Sequence, residues 1–278
     1  MELPVGGDFL TRQFDLASST LMTFMRGGIG VAARPAAVRP TYVFELYDLE
    51  GCPYCRLVRE ALTELDLDAA IYPCPRNGTR FRPKAVQLGG KAQFPLLVDP
   101  NSGRQLYGSA EIVRYLFRTY GPGDLPLHWQ WIELHKLGSG LAGLPRLSAG
   151  MKARPSRAPN QALELYSFES SPFARLVRER LCELELPYVV RSVGRTAPSD
   201  WVPPGVRQTL GVGYEPDSLN RRTLLARAGA VSIPYLVDAN TGVELGESKE
   251  IIDYLERTYA VAGPGDQVKA SMQRSPVP

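Results

Sequence analysis

The chain has few of the residues needed for a metal centre, a disulfide scaffold, a nucleic-acid surface or a membrane span. It contains only two histidines, His128 and His135. No carboxylate or cysteine is arranged around them as ligands, so no metal is expected. Cysteine is scarce, four in 278 residues, which excludes a disulfide scaffold. Lys and Arg nowhere form a run, and acids and bases interleave to a net charge of only +3, so nucleic acid is not expected as a partner. No apolar segment approaches the roughly 20 residues of a membrane span. The start lacks the apolar core and cleavage site of a secretory signal. With Glu2, Asp8 and Asp15 it is also more acidic than a transit peptide. What remains, 44% apolar and 22% charged, is the composition of an ordinary globular protein of about two domains.

Against this background one motif stands out: Gly51-Cys52-Pro53-Tyr54-Cys55-Arg56. The chain also carries a second copy of the segment around it. Residues 44–68 and 163–187 agree at about 14 of 25 positions, the self-similarity that marks internal repeats. In the second copy Ser171 replaces Cys52 and Ala174 replaces Cys55. One copy is equipped for dithiol chemistry and the other is not. The likeness resumes further on, where residues 233–260 match 94–121 at about 15 of 28 positions. The offset has then grown from 119 to 139 residues, so repeat two carries an insertion of about 20, placed around 195–219. Connections of that length are functional or disordered.

The predicted organisation is an N-terminal helix and linker (1–40), a first domain (41–121), an interdomain linker with a short helix (122–161), a second domain (162–260) and a tail (261–278). Leu10, Phe14, Ala17, Leu21 and Met25 recur at helical spacing, which predicts an amphipathic helix packed against the body. Alternation and periodicity in repeat one predict strands at 42–47, 69–74 and 94–99, a hairpin through 105–107, and helices at 53–65, 80–88 and 109–120. The order is β-α-β-α-β-β-α, an α/β class with a mixed four-stranded sheet in each repeat. Ser109 is predicted to cap its helix. In the linker, Trp129, Trp131 and Leu134 are expected to glue the repeats together.

The chemistry of the motif follows from its place between a strand and a helix. A cysteine at a helix N-terminus has its thiolate stabilised by unpaired N–H groups and the helix dipole. Pro53 suits the first helical position. Cys52 is therefore the expected exposed, low-pKa attacker. Cys55, one turn inward, is placed to resolve a mixed disulfide at Cys52. Arg56 and Arg59 should lower the Cys52 pKa further, while Glu50 should raise it. The plain structural alternative is two buried cysteines opening a helix. Cys74, between two prolines, reads as a bystander, and Cys182, on an apolar helix face, as core. The two histidines read as surface or interface residues without partners. Phe94-Pro95 and Ile233-Pro234 each precede a strand, where a cis proline and an ordinary trans proline fit equally well.

C-P-Y-C before a helix resembles the glutaredoxin active-site motif. The later F-P-L-L-V-D and G-S-A-E-I-V-R-Y-L segments resemble the N-terminal, thioredoxin-like domain of glutathione transferases. From about 41 to 260 the chain is similar to tandem proteins of photosynthetic organisms with two such domains and no all-helical transferase domain. The resemblance implies glutathione as co-substrate. In repeat one Cys52 matches the nucleophile and Cys55 the second cysteine. Tyr54 matches a residue of the glutathione site, Pro95 the cis-proline with Phe94 offering its backbone, and Ser109 the serine that binds the γ-glutamyl carboxylate. Gly108 departs from the acidic residue expected before that serine. In repeat two Ile233, Pro234, Glu247 and Ser248 match the whole pattern, with Ser171 at the serine or cysteine position. For Ser109 and Ser248 simple helix capping explains the residue equally well.

Three functions fit this reading. The leading one is a glutathione-linked thiol–disulfide oxidoreductase acting on disulfide or glutathionylated protein substrates. The alternatives are a glutathione-conjugating transferase, and a non-catalytic glutathione or Fe–S binding protein. The resemblance also implies a chloroplast stroma; the thiols alone imply a reducing soluble compartment. The expected assembly is a monomer with pseudo-dimeric repeats, or a homodimer.

Overall fold

The computed structural model describes residues 13, 15–21, 29–131, 149–202, 204–211 and 213–261. Repeat one contributes β1 (Phe44–Asp48), α1 (Pro53–Glu64), β2 (Ala69–Pro73), α2 (Arg82–Gly89), β3 (Leu96–Asp99), β4 (Arg104–Tyr107) and α3 (Ser109–Thr119). A short helix, α4 (Leu127–Gln130), follows. Repeat two contributes β5 (Leu163–Ser167), α5 (Pro172–Glu183), β6 (Tyr188–Ser192), a 3-10 turn (Pro198–Trp201), α6 (Pro204–Leu210), α7 (Leu219–Ala228), β7 (Tyr235–Asp238), β8 (Val243–Leu245) and α8 (Ser248–Tyr259).

Each repeat builds the expected mixed four-stranded sheet, and the two sheets fuse. The order is β4-β3-β1-β2-β6-β5-β7-β8. The join is antiparallel: Ala69 faces Val190, Ala70 faces Val189, and Ile71 faces Tyr188. Ala70 and Val189 are equivalent positions of the two repeats, so the pairing lies on a pseudo-twofold axis. Each repeat uses the other to cover what would otherwise be an open inner edge strand.

Helix α1 forms because Pro53 opens it and Leu57, Val58, Ala61 and Leu62 recur on one face. That stripe is buried against the sheet, and α3 packs beside it. The polar face of α1 is buried as well: Arg56, Arg59, Glu60 and Thr63 lie against repeat two. The identities between repeats therefore mark shared structural duties. Asp99 accepts from Tyr115, Tyr120 and Asn101, and Asp238 accepts from Tyr254, Tyr259 and Asn240, at 2.5–2.8 Å. The same device ties the last helix of each repeat to its sheet.

Residues 29–36 and 149–156 also form a matched pair rather than a plain linker. Ala33 N–H donates to Arg195 and Arg195 N–H to Val31, while Arg76 N–H donates to Met151 and Ala153 N–H to Arg76. Each arm thus bonds to the other repeat. Arg34 and Arg154 anchor the same arms to the end of their own repeat's first helix, at Glu64 and Glu183. The insertion of repeat two is ordered around buried Asp200, which accepts from Thr196, Ala197 and Tyr214 and pairs with Arg221 at 3.2 Å.

Several expectations need correction. In the N-terminal helical stretch, Ala17 and Leu21 are exposed, and Ser18 and Ser19 are buried instead. The small hydroxyl of Ser19 permits close approach and donates to Pro172 O at 2.9 Å. Leu10, Phe14 and Met25 lie outside the described residues, as do Leu134 and His135. Trp129 is fully buried, but its polar contact is with repeat one, where Nε1 donates to Glu64 at 2.7 Å, while Trp131 is exposed. His128 has a partner after all, with Nε2 3.0 Å from the same carboxylate. Ser109 is not a cap: Gly108 holds that position and Ser109 is the first helical residue.

Candidate functional site

The sheet register gathers the predicted residues of repeat one at one edge. Tyr47, Leu96 and Tyr107 are successive partners across β1, β3 and β4. The chain reaches the cysteine loop just after Tyr47, Pro95 lies just before Leu96, and Gly108 and Ser109 lie just after Tyr107. Strands β1 and β4 run the same way, so α1 and α3 both begin at this edge, with Pro95 between them. The Phe94–Pro95 and Ile233–Pro234 bonds are both cis. Phe94, like Cys52 and Met151, packs against the buried cluster of Leu49, Cys55 and Cys182.

Cys52 is the N-cap of α1 (φ −81°, ψ 121°), with its sulfur on the side of the Tyr54 and Cys55 N–H groups. It is half-buried, Cys55 is fully buried beneath it, and Tyr54 is half exposed beside it. The expected attacker is thus more enclosed than the sequence reading held. The two thiols are driven apart electrostatically. Hydrogen bonding from the Cys55 thiol lowers the Cys52 pKa to about 7, helped by the N–H groups of Cys55 and Tyr54 and by the Arg59 charge. Burial, then the hydrogen bond to Cys52, pushes Cys55 well above the ordinary thiol range. Near pH 7 about half of Cys52 is therefore thiolate, while Cys55 keeps its proton. Burial likewise raises Cys74, whose thiol donates to Tyr72 O at 3.4 Å.

Of the charges near the motif, Arg59 lowers Cys52 as its sequence position suggested, whereas Glu50 and Arg56 are taken up by other partners. Glu50 accepts from Arg178 at 3.0–3.2 Å and pairs with Arg59 at 3.3 Å, so its charge is absorbed by arginines from both repeats. Arg56 donates to Glu60 at 3.0 Å. Arg59 donates to Asp48, to Glu169 at 2.9 Å and to the Glu50 carbonyl at 3.0 Å. Arg178 reaches the Glu169 carbonyl at 2.8 Å and its carboxylate at 3.1 Å. Glu50, Arg59, Glu169 and Arg178 form a buried, pseudo-symmetric ion cluster behind the cysteine loop. The Arg178 and Arg59 charges hold the Glu169 carboxyl down at about 2 despite its burial. Sequence reasoning missed this cluster. Its signal was the identity of Glu50 with Glu169 and of Arg59 with Arg178, in a duplication where solvent-facing charges are free to drift.

Ser109 Oγ is buried and has no hydrogen-bond partner. An unsatisfied buried hydroxyl costs roughly 1–3 kcal/mol, so this donor suits an acceptor delivered from outside. Gly108 before it has φ +80°, where an acidic side chain would be strained. Glu247 at the matching place has an ordinary φ of −100°, and neither it nor Ser248 makes a side-chain cap bond. In repeat two Ile233 is partly buried, Pro234 and Ser248 are buried, and Glu247 is exposed. Ser171 is 2% exposed and its hydroxyl accepts from Ala174 N–H at 3.2 Å, a cap bond. The loop around it is covered: Ser170 N–H and Oγ donate to Gly30 O and Ile29 O, and Ser19 donates to Pro172 O. The structure thus brings Cys52, Cys55, Phe94, Pro95 and Ser109 to one edge, and closes over Ser171 in the other repeat.

A family model for the glutathione S-transferase N-terminal domain matches residues 46–124 and again 165–265. The chain belongs to this family. Both matched segments coincide with the duplicated β-α-β-α-β-β-α units, and each contains one of the cis prolines. No curated protein and no solved structure matches the chain significantly. Among the described residues no helix is long and apolar enough to cross a membrane, and no group of His, Cys, Asp and Glu could hold a metal ion.

Proposed function

We propose that this protein is a glutathione-linked thiol–disulfide oxidoreductase working through repeat one. The observation that carries the reading is the split between the two thiols of the motif: Cys52 lowered to about 7, Cys55 raised and hydrogen-bonded to it. The Cys52 thiolate attacks one sulfur of a disulfide, the S–S bond breaks, and the other sulfur leaves as a thiolate. Cys55 or a second glutathione then attacks the mixed disulfide at Cys52, and the product is released reduced. Family membership supports a glutathione-related role, and the Ser109 hydroxyl supports a carboxylate at the end of the bound thiol. Repeat two serves as scaffold, supplying Glu169 and Arg178 to the ion cluster behind the loop.

The transferase reading draws on one observation, the Glu247–Ser248 pair at the start of α8, which keeps the acidic residue repeat one has lost. The covered Ser171 hydroxyl counts against it, because conjugation needs an activating group beside the glutathione sulfur. The discriminating assay is turnover of a glutathionylated peptide. Cys52→Ser should abolish it, and Cys55→Ser should leave the glutathione-dependent part. Full activity in Cys52→Ser refutes the assignment.

A further inference from the structure

The oxidoreductase reading uses two of the four cysteines, and the fold brings a third to the same place. Cys182 lies on α5 of repeat two, 130 positions beyond Cys52, yet it is buried in one cluster with Cys55 and Leu49, against which Cys52, Phe94 and Met151 pack. Its sulfur accepts from the N–H of Glu50 at 3.4 Å, two residues before Cys52, and its thiol donates to Gly150 O at 3.1 Å. The sequence reading made this residue plain core.

The pseudo-twofold axis supplies the control. Cys182 corresponds to Thr63, and Thr63 Oγ1 accepts from the N–H of Glu169, the residue corresponding to Glu50, at 3.1 Å. Both sides of the interface thus satisfy the same backbone donor. A hydroxyl does so beside the disarmed loop, and a thiol does so beside the loop that carries Cys52 and Cys55. Sulfur is the weaker acceptor, so the hydrogen bond alone gives no reason to prefer cysteine at 182. The described residues offer no metal site that would claim these sulfurs.

Resting on the oxidoreductase reading, we propose that Cys182 is a third redox-active thiol of the site, which exchanges with an oxidised Cys52–Cys55 pair and ties repeat two covalently to repeat one. The Cys182 sulfur attacks the Cys55 sulfur, the Cys55–Cys52 bond breaks, and Cys52 leaves as the thiolate. The Cys182 proton passes to the departing Cys52 sulfur, because Cys182 itself is buried away from solvent. No electrons are gained or lost, since the two removed from the dithiol went to the substrate disulfide in the preceding step. Cys52 is the better leaving group because its thiolate is the more stable. The outcome stores the oxidising equivalent as a Cys55–Cys182 bridge while Cys52 is free to react again. In the bridged state Cys52 has lost its resolving partner and turns over through glutathione alone.

The test uses the full chain oxidised with glutathione disulfide, alkylated, and mapped as non-reduced tryptic peptides by mass spectrometry. The wild type should give two linked species, Cys52–Cys55 and Cys55–Cys182. Cys182→Thr, which borrows the residue from the equivalent position, should keep the Cys52–Cys55 bond and lose the second species. Cys52→Ser should give no Cys55–Cys182 bridge, and its appearance there would overturn the exchange route. A wild type in which Cys52–Cys55 forms and Cys182 stays a free thiol overturns this proposal while leaving the oxidoreductase reading intact. A wild type in which Cys52 forms neither a disulfide nor a glutathione adduct overturns that reading itself.

Discussion

Replacing Cys55 by alanine tests the origin of the Cys52 thiolate. The Cys52 pKa falls from 9.0 to about 7, a differential stabilisation of the thiolate of about 3 kcal/mol. The largest contribution is the hydrogen bond from the Cys55 thiol. Bonds to a charged acceptor are worth about 1.5–3 kcal/mol, or about one to two pKa units. In Cys55→Ala the N–H groups of residues 54 and 55 and the Arg59 charge remain, so the Cys52 pKa should rise to between about 8 and 9 rather than beyond. Alanine already occupies the equivalent buried position, Ala174, so the helix should form unchanged. A single alkylation rate at pH 7 is a poor assay, because a more basic thiolate is intrinsically more reactive, which offsets part of its lower abundance. The midpoint of the pH profile is free of that compensation. The measurement is therefore peptide-resolved alkylation of Cys52 from pH 5 to 10. The wild-type midpoint should lie near 7, and the variant midpoint one to two units higher. An unchanged or lowered midpoint in Cys55→Ala refutes the hydrogen-bond account.

Three further outcomes follow from the same contacts. Burial raises the Asp48 carboxyl to about 6, so the folded chain holds a proton that the unfolded chain releases between about pH 4 and 6; its contribution to stability therefore falls by about 3 kcal/mol as pH rises through that window. Asp48→Asn should remove that slope in urea unfolding at pH 4.5 and 6.5, and an identical slope in both proteins counts against it. Arg178→Ala leaves Glu50 and Glu169 short of a buried partner and should destabilise the chain by about 3–5 kcal/mol in urea, whereas a loss below about 1 kcal/mol would mean the cluster is open to water. Re-arming repeat two with Ser171→Cys and Ala174→Cys should yield thiols that alkylate far more slowly than Cys52, since the loop is covered at Ser170 and Pro172; equal rates would show that the cover is not in place.

The sequence was most legible where duplication and periodicity agreed. The strands and helices of repeat one lie within two residues of expectation, because the apolar stripes of α1 and α3 are buried as their period demands. The cysteine loop and the places of Pro95, Pro234 and Ser109 were readable for the same reason, since they sit at element boundaries marked by proline, glycine and serine, but the cis state of the two proline bonds was not. What stayed hidden lies across the pseudo-twofold axis. A helix read alone assigns Arg56, Arg59 and Glu60 to solvent, and only a partner surface explains their burial. The effect of Glu50 on Cys52 was misjudged because Arg178, 128 residues away, absorbs its charge. Ser109 was given a capping role that Gly108 takes with its positive φ. The proximity of Cys182 to the motif follows from packing between repeats, which no local pattern encodes.

Cys55→Ser incubated with glutathione disulfide tests the central claim most directly, because the variant traps the first step. With the resolving thiol gone, one glutathione should accumulate on Cys52, and on no other residue, at a rate that follows the Cys52 thiolate. Cys74 and Cys182 should take up no glutathione, being buried out of its reach, and with Cys55 replaced no Cys52–Cys55 bond forms for Cys182 to exchange with. A protein that takes up no glutathione, or takes it up on another cysteine, contradicts the assignment of Cys52 as the nucleophile.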